Sequence, residues 1–234
     1  MGVLSFQNTF FYLDLMAKPG RNTIILSILF FGPLLFYIFL LTGTNNFARL
    51  PVLTTGVEDV SSLSPEANVE VASLDGNISI LCFLGRNPLD HKTNALNLNE
   101  KIYKHFYGFK GFQFVVVLPE GAREDARQLK KELGATYDVS EWHFLFGTDQ
   151  EVREKFESLQ TSSQLDQSLY TPEAFIIDRD MNLRGRNDDD DMPDGMRYGY
   201  NAESISTVHQ EMVDDVKVVV AEDRLALKKN KRQI

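Results

Sequence analysis

The run Ile78–Leu84, ISILCFL, carries apolar side chains at every position but Ser79 and shows no alternation. A strand with one face in water alternates apolar and polar residues, so this run is expected to be a strand buried on both faces. Such a strand needs neighbours in a sheet and a covering layer on each side. A chain of 234 residues with 43% hydrophobic residues can supply one such domain and something besides.

The rest of the chain provides the neighbours and the layers in order. Ala95, Leu98, Ile102 and Phe106 recur at helical spacing until Gly108, and Phe112–Leu118 (FQFVVVL) is a second β-rich run closed by Pro119 and Gly121. Ala122–Leu133 reads as a helix with Ala126, Leu129 and Leu133 on its apolar side, and Trp142–Phe146 as a short third strand. Thr148 and Glu151 have capping-box spacing, which predicts a helix from Asp149 to about Leu159. YTPEAFIIDRDMNLRGR then reads as a hairpin: a strand over Ala174–Asp178, a turn through Asp180–Asn182 and a returning strand. A last helix is expected from near Ala202, with Ile205, Val208, Met212, Val216 and Val219 on one face. This order is that of an α/β, thioredoxin-like mixed sheet flanked by helices, with a βαβ half followed by a ββα half.

The something besides is Ile24–Leu41, eighteen residues without a charge. With Thr23, Thr42 and Gly43 it approaches the length needed to cross about 30 Å of hydrocarbon, and Gly32 and Pro33 are tolerated in such helices. A cleaved signal peptide would have a shorter apolar region and a small-residue cleavage site, which does not follow Leu41. The expected organisation is a cytoplasmic segment 1–22, a transmembrane helix 23–43, a tether 44–67 rich in Pro, Ser, Thr and Gly, and a domain 68–234. Lys18 and Arg21 on the near side against Arg49 on the far side favour a cytoplasmic N-terminus and an exported domain. In a bacterium that means the inner membrane, with the domain in the periplasm.

The formal net charge of −9 argues against nucleic acid as a partner, since phosphate binding needs a basic face. A single cysteine, Cys82, excludes a disulfide framework and any two-cysteine redox motif within the chain. Cys82 lies inside an apolar strand and is expected to pack as a small hydrophobe. His105, His143 and His209 are scattered singly. The run Asp188–Asp191 lacks the alternate ligand spacing of an EF-hand loop and reads as a solvated loop. The tail Lys228, Lys229, Lys231 and Arg232 reads as a charged terminus, with contact to anionic lipid or an acidic partner as the alternative.

LDGNISILCFLGRNP, WHFLFGTDQE, the YTPEAFIIDRDMNLRGR hairpin and the terminal helix, in that order and spacing, resemble the Sco/SenC family over roughly residues 70 to 222. These are membrane-anchored thioredoxin-fold proteins of bacteria and mitochondria that help load copper into cytochrome c oxidase. In the family a C-x-x-x-C pair after the first strand and a histidine before the hairpin hold copper. Laid on this sequence, the two cysteine positions fall on Asn87 and His91, with Pro88 following the first, and the histidine position falls at about Tyr170. All three ligands are replaced, and His91 alone keeps a transition-metal donor. Thr171–Pro172 stands where thioredoxin-like folds place a cis-proline; the resemblance implies a cis bond shaping a concave site beside Asn87 and Tyr170, the alternative being a trans proline that begins a strand.

Two functions follow as expectations. One is a non-catalytic anchored module that binds a protein partner, such as a respiratory-complex component, through Asn87, Pro88, His91, Tyr170 and Pro172. The other is an active copper chaperone or thiol-disulfide oxidoreductase with an altered site, which lacks a thiolate nucleophile within reach.

Overall fold

The structure, a computed structural model, describes residues 20–42, 49–66, 71–135 and 138–231. It divides into two compact units, 1–47 and 48–234. The expected cytoplasmic segment before residue 20 and the last three residues of the basic tail lie outside the described residues, as do the side chains of Lys228, Lys229 and Lys231.

In the first unit, α1 runs over Arg21–Thr42 with Pro33 inside it. Side chains along it are described without a gap only from Ile24 to Phe39, and nearly all of them are exposed. Among the described residues, no helix is long and apolar enough to cross a membrane.

The second unit begins with β1 (Val52–Thr54) and β2 (Ser64–Pro65), followed by β3 (Ile78–Leu84) and α2 (Lys92–Leu98). A π-helical turn, Asn99–Tyr103, joins α2 to the short α3 (Lys104–Phe106). Next come β4 (Phe112–Pro119), α4 (Arg123–Leu133), β5 (Trp142–Gly147) and α5 (Asp149–Glu157). The chain closes with β6 (Tyr170–Ile177), β7 (Leu183–Arg184), β8 (Tyr200–Asn201), a π-helical stretch Thr207–Met212 and α6 (Val213–Lys231). The sheet order is β1-β7-β6-β3-β4-β5-β2, with β8 also on β6. The pairs β3–β4 and β4–β5 are parallel, and β3–β6 is antiparallel.

Both faces of the central strands are covered, as the unbroken apolar run demands. Ile78, Ile80, Cys82 and Leu84 point to one side with Phe112, Phe114, Trp142 and Phe144, beneath α2, α4 and α6. Leu81 and Phe83 point to the other with Val115, Val117 and Phe175, beneath Val152 and Phe156 of α5. The buried Gln113 amide is matched: it donates to Ser79 Oγ at 2.8 Å and to the Ser73 carbonyl at 2.8 Å. The Thr148 capping box forms with Glu151 as its spacing implies.

Three expectations are corrected. The described part of the supposed tether, 49–66, belongs to the domain: β1 pairs with β7, β2 pairs with β5, and Val57, Val60 and Leu63 are buried against α5 and its neighbours. Lys155, almost fully buried, reaches out to Glu58 at 2.6 Å, and Thr54 Oγ1 donates to the Leu159 carbonyl at 2.8 Å. The last helix starts three residues later than Ala202, whose amide instead donates to the Pro172 carbonyl, and Ile205 is 55% exposed rather than on the buried face. The acidic run is only partly a solvated loop. Asp188, Asp190 and Asp191 are exposed, but Asp189 turns inward onto Arg197, both side chains being 6% exposed.

Candidate functional site

The end of β3 delivers the chain into a loop that the opposite strand holds tightly. Gly85 has φ +72°, and a Cβ there would meet the Ser168 carbonyl at 2.9 Å and Tyr170 Cβ at 3.0 Å, so glycine is required for this approach. The Arg86 amide donates to the same Ser168 carbonyl at 2.9 Å. From Asn87 the backbone winds through successive turns, Asp90 to the Asn87 carbonyl and His91 to the Pro88 carbonyl, into the start of α2. Asn87 is exposed, Pro88 is buried and His91 is half-buried.

His91 is the N-cap of α2, yet its side chain caps nothing. The imidazole lies against the ring of Tyr170, with centroids 3.4 Å apart and planes 8° from parallel. Tyr170 begins β6, and its hydroxyl is held from two sides. Asn94 Nδ2, buried in α2, donates to it at 2.8 Å, and the hydroxyl donates to Glu203 Oε1 at 2.6 Å. Burial and the hydrogen bond to Glu203 both push the phenol's ionisation far above its ordinary range. Glu203 reaches this point because β8 pairs with β6 and Asn97 Nδ2 clasps the Ala202 carbonyl at 2.9 Å.

Below the stack, Asp166 orders the turn that precedes β6. Its Oδ1 accepts from the Ser168 amide at 2.8 Å, the Ser168 hydroxyl at 2.7 Å and the Tyr170 amide at 2.9 Å. Partial burial would raise the carboxyl's ionisation, but these hydrogen bonds, helped by nearby His91, bring it below the usual range. Leu169 sits in this turn at φ +67° with its side chain fully buried, a left-handed conformation tolerated because the surrounding bonds fix it.

Of the residues singled out from sequence, the structure brings His91 and Tyr170 into direct contact, with Asn87 and Pro88 on the loop beside them. Pro172 lies two residues into β6. Its peptide bond is trans, since no cis bond occurs among the described residues, so the cis expectation is corrected to a proline that stands near the start of a strand. Its carbonyl does the structural work by accepting from Ala202. Cys82 is fully buried on the α2 side of the sheet, and desolvation pushes its thiol up to about 12. His143 is partly buried on β5 and His105 and His209 lie on the surface, all in other elements.

These donors do not suit copper. The Tyr170 hydroxyl is committed to Asn94 and Glu203, and the one thiol lies inside the sheet, which leaves the His91 imidazole as a single donor. Among the described residues, no group of three His, Cys, Asp or Glu side chains could hold a metal ion. Sequence reasoning missed Asn94, Asp166, Glu203 and Gly85. Asn94 falls three residues after His91, one helical turn on, and that spacing was the available signal. Glu203 had none, because β8 is only two residues long.

No protein-family model and no curated protein matches the chain. Among solved structures it is similar to a SCO1/SenC family lipoprotein from Bacillus anthracis str. Ames, at TM-score 0.52 and 17% identity, over 74% of this chain and 99% of that one. It is also similar to a putative protein disulfide isomerase from Bacteroides thetaiotaomicron, at TM-score 0.50 and 11% identity, over 76% of this chain and 98% of that one. At such identities the likeness is one of fold: the domain shares the mixed thioredoxin-like sheet, flanked by helices, of these two proteins.

Proposed function

We propose that the chain is a membrane-anchored, non-catalytic thioredoxin-fold protein that recognises a protein partner through Asn87, Pro88, His91, Tyr170, Pro172 and the added Glu203. The observation that carries the reading is the stack of His91 on Tyr170, hydrogen-bonded to Asn94 and Glu203, at the place where the resemblance puts two copper ligands. A thiol-exchange site needs an accessible thiolate, and Cys82 is buried and protonated. What the loop offers instead is an exposed amide, an imidazole edge and an exposed carboxylate on a fixed frame, which suits hydrogen-bonded recognition.

The uncharged run Ile24–Leu41, helical over Arg21–Thr42, supports an anchor, and Lys18 and Arg21 support a cytoplasmic N-terminus. The Sco/SenC resemblance and the fold shared with a SCO1/SenC family lipoprotein support a partner in assembly of a respiratory oxidase at the bacterial inner membrane.

The reading is tested with a photo-crosslinker at Asn87 in native membranes. An adduct with an oxidase subunit, lost on His91→Ala, is the expected result. Copper titration of the same protein provides the opposing one: tight, stoichiometric binding lost on His91→Ala would overturn recognition in favour of copper delivery.

A further inference from the structure

We infer that the end of the domain opposite His91 docks on an anionic membrane surface through a basic-rimmed apolar groove between α3 and α6. The inference rests on the reading of Ile24–Leu41 as an anchor. The groove, a cavity of about 330 Å³, has Phe106, Phe109 and Val220 as its floor and His105, Lys217 and Arg224 around it, with no acid among its lining residues. The Arg224 guanidinium lies over the Phe109 ring, 4.9 Å from its centroid. Exposed Tyr107 and Lys110 flank the groove in sequence. Among the described residues, no ion pair engages His105, Lys110 or Arg224, whereas neighbouring acids are taken: Asp214 by Lys217 at 2.8 Å and Asp223 by Arg179 at 2.6 Å. Exposed Asp75 and Asp180 lie in loops tied to Arg179 and bound the patch on that side.

In a chain of net charge −9, a locally basic groove with an aromatic floor is selective for an anionic surface. Aromatic and apolar groups enter the headgroup layer while bases meet lipid phosphates, each base near such a surface adding about a fivefold factor. The way the chain enters the domain favours a bilayer over an acidic protein. Leu50 is fixed at this end, its amide donating to Glu222 Oε1 at 3.2 Å, and Glu222 is two residues from Arg224 in α6. Leu50 comes nine positions after Leu41, the last of the uncharged run, a reach of roughly 30 Å at full extension. Phe109–Gly111 adjoins the start of β3, where the Ile78 amide donates to the Gly111 carbonyl, and His91 follows the end of the same seven-residue strand. Docking therefore holds the His91–Tyr170 face roughly 20 Å further out, turned toward a partner.

The full chain is reconstituted in nanodiscs of phosphatidylcholine with or without phosphatidylglycerol, carrying a bimane label on Tyr107→Cys and, separately, on Asn87→Cys. Buried Cys82 does not compete for the label. With a quencher in the headgroup layer, the Tyr107→Cys label is expected to be quenched in anionic discs only, to lose quenching by about fivefold on Arg224→Gln and to lose it at high salt, while the Asn87→Cys label stays bright. Equal quenching at both positions, or quenching indifferent to phosphatidylglycerol, overturns the inference. So does a Tyr107→Cys label that ignores anionic lipid but responds to a polyglutamate peptide, which assigns the groove to an acidic protein. Co-elution of the chain with the discs is read separately: its loss sinks the anchor reading together with the docking, whereas a retained chain with an unquenched label sinks the docking alone.

Discussion

The imidazole of His91 lies 3.4 Å from the ring of Tyr170 and nearly parallel to it, which ties the loop after β3 to the first residue of β6. The two halves of this contact are unequal. Tyr170→Phe keeps the stack but strips the hydroxyl, leaving the buried Asn94 amide without its partner. An orphaned buried donor costs about 1–3 kcal/mol. His91→Ala removes a half-exposed ring contact worth about 0.5–1.5 kcal/mol. Urea unfolding should therefore rank Tyr170→Phe as the more damaging change, and the opposite rank would show that the stack, not the hydroxyl network, holds the loop.

Cys82 makes stability fall in alkali. Its thiol ionises near 9 in an exposed setting and near 12 when buried in the fold. Between those values the unfolded chain has lost the proton and the native one keeps it, so stability is fully present below pH 9 and declines as pH rises toward 12. The slope from this one group is about 1.4 kcal/mol per pH unit. Burial also raises the ionisation of Tyr170 and Tyr200, but phenols begin to ionise in the unfolded chain a unit higher. Unfolding of wild type and Cys82→Ala compared between pH 9 and 10 isolates the thiol. The wild-type slope should be steeper, and the native thiol should be inert to a thiol reagent that labels it fully in urea.

The described part of 49–66 is predicted to be indispensable. A soluble fragment beginning at residue 48 keeps Val57, Val60 and Leu63 in the core under α5 and the Lys155–Glu58 pair closed. One beginning at residue 68 removes four buried apolar side chains, Leu50, Val57, Val60 and Leu63, each worth about 1.5–3 kcal/mol, and bares two sheet edges. It also leaves the Lys155 ammonium buried without a partner. The longer fragment should melt cooperatively and the shorter one should not; cooperative melting of both would restore the tether reading.

The central sheet was legible because Ile78–Leu84 and Phe112–Leu118 declare burial on both faces without help from elsewhere. The short strands β1, β2 and β8 were not: they have too few positions for a period, and their strand character comes from partners distant in sequence, more than 70 residues away for β1 and β2 and on β6 for β8. That is why Pro, Ser and Thr in 49–66 suggested a tether. At the site, His91 and Tyr170 could be placed as neighbours by resemblance alone. That they stack, and that Asn94 and Glu203 hold the phenol, depends on the β6–β8 pairing and could not be read from spacing.

The inward turn of Asp189 yields the last prediction. Arg197 grips its carboxylate with two nitrogens, Glu211 meets the same guanidinium at 3.2 Å, and the loop around them is closed by the paired backbones of Arg186 and Arg197. Removing one partner of a buried pair costs about 3–5 kcal/mol when the other is left unpaired, but Glu211 keeps Arg197 partly paired. Asp189→Asn should therefore cost clearly less than that, though more than Asp190→Asn, which lies on the exposed side of the same run and should fall within about 0.5 kcal/mol of wild type. The Arg197 hydrogen bonds hold the Asp189 carboxyl below the ordinary carboxylate range. The stability it contributes is therefore present at neutral pH and is lost as pH drops below about 4. Acid unfolding curves of wild type and Asp189→Asn should converge there; parallel curves down to the lowest pH would show that the carboxylate contributes by packing rather than by charge.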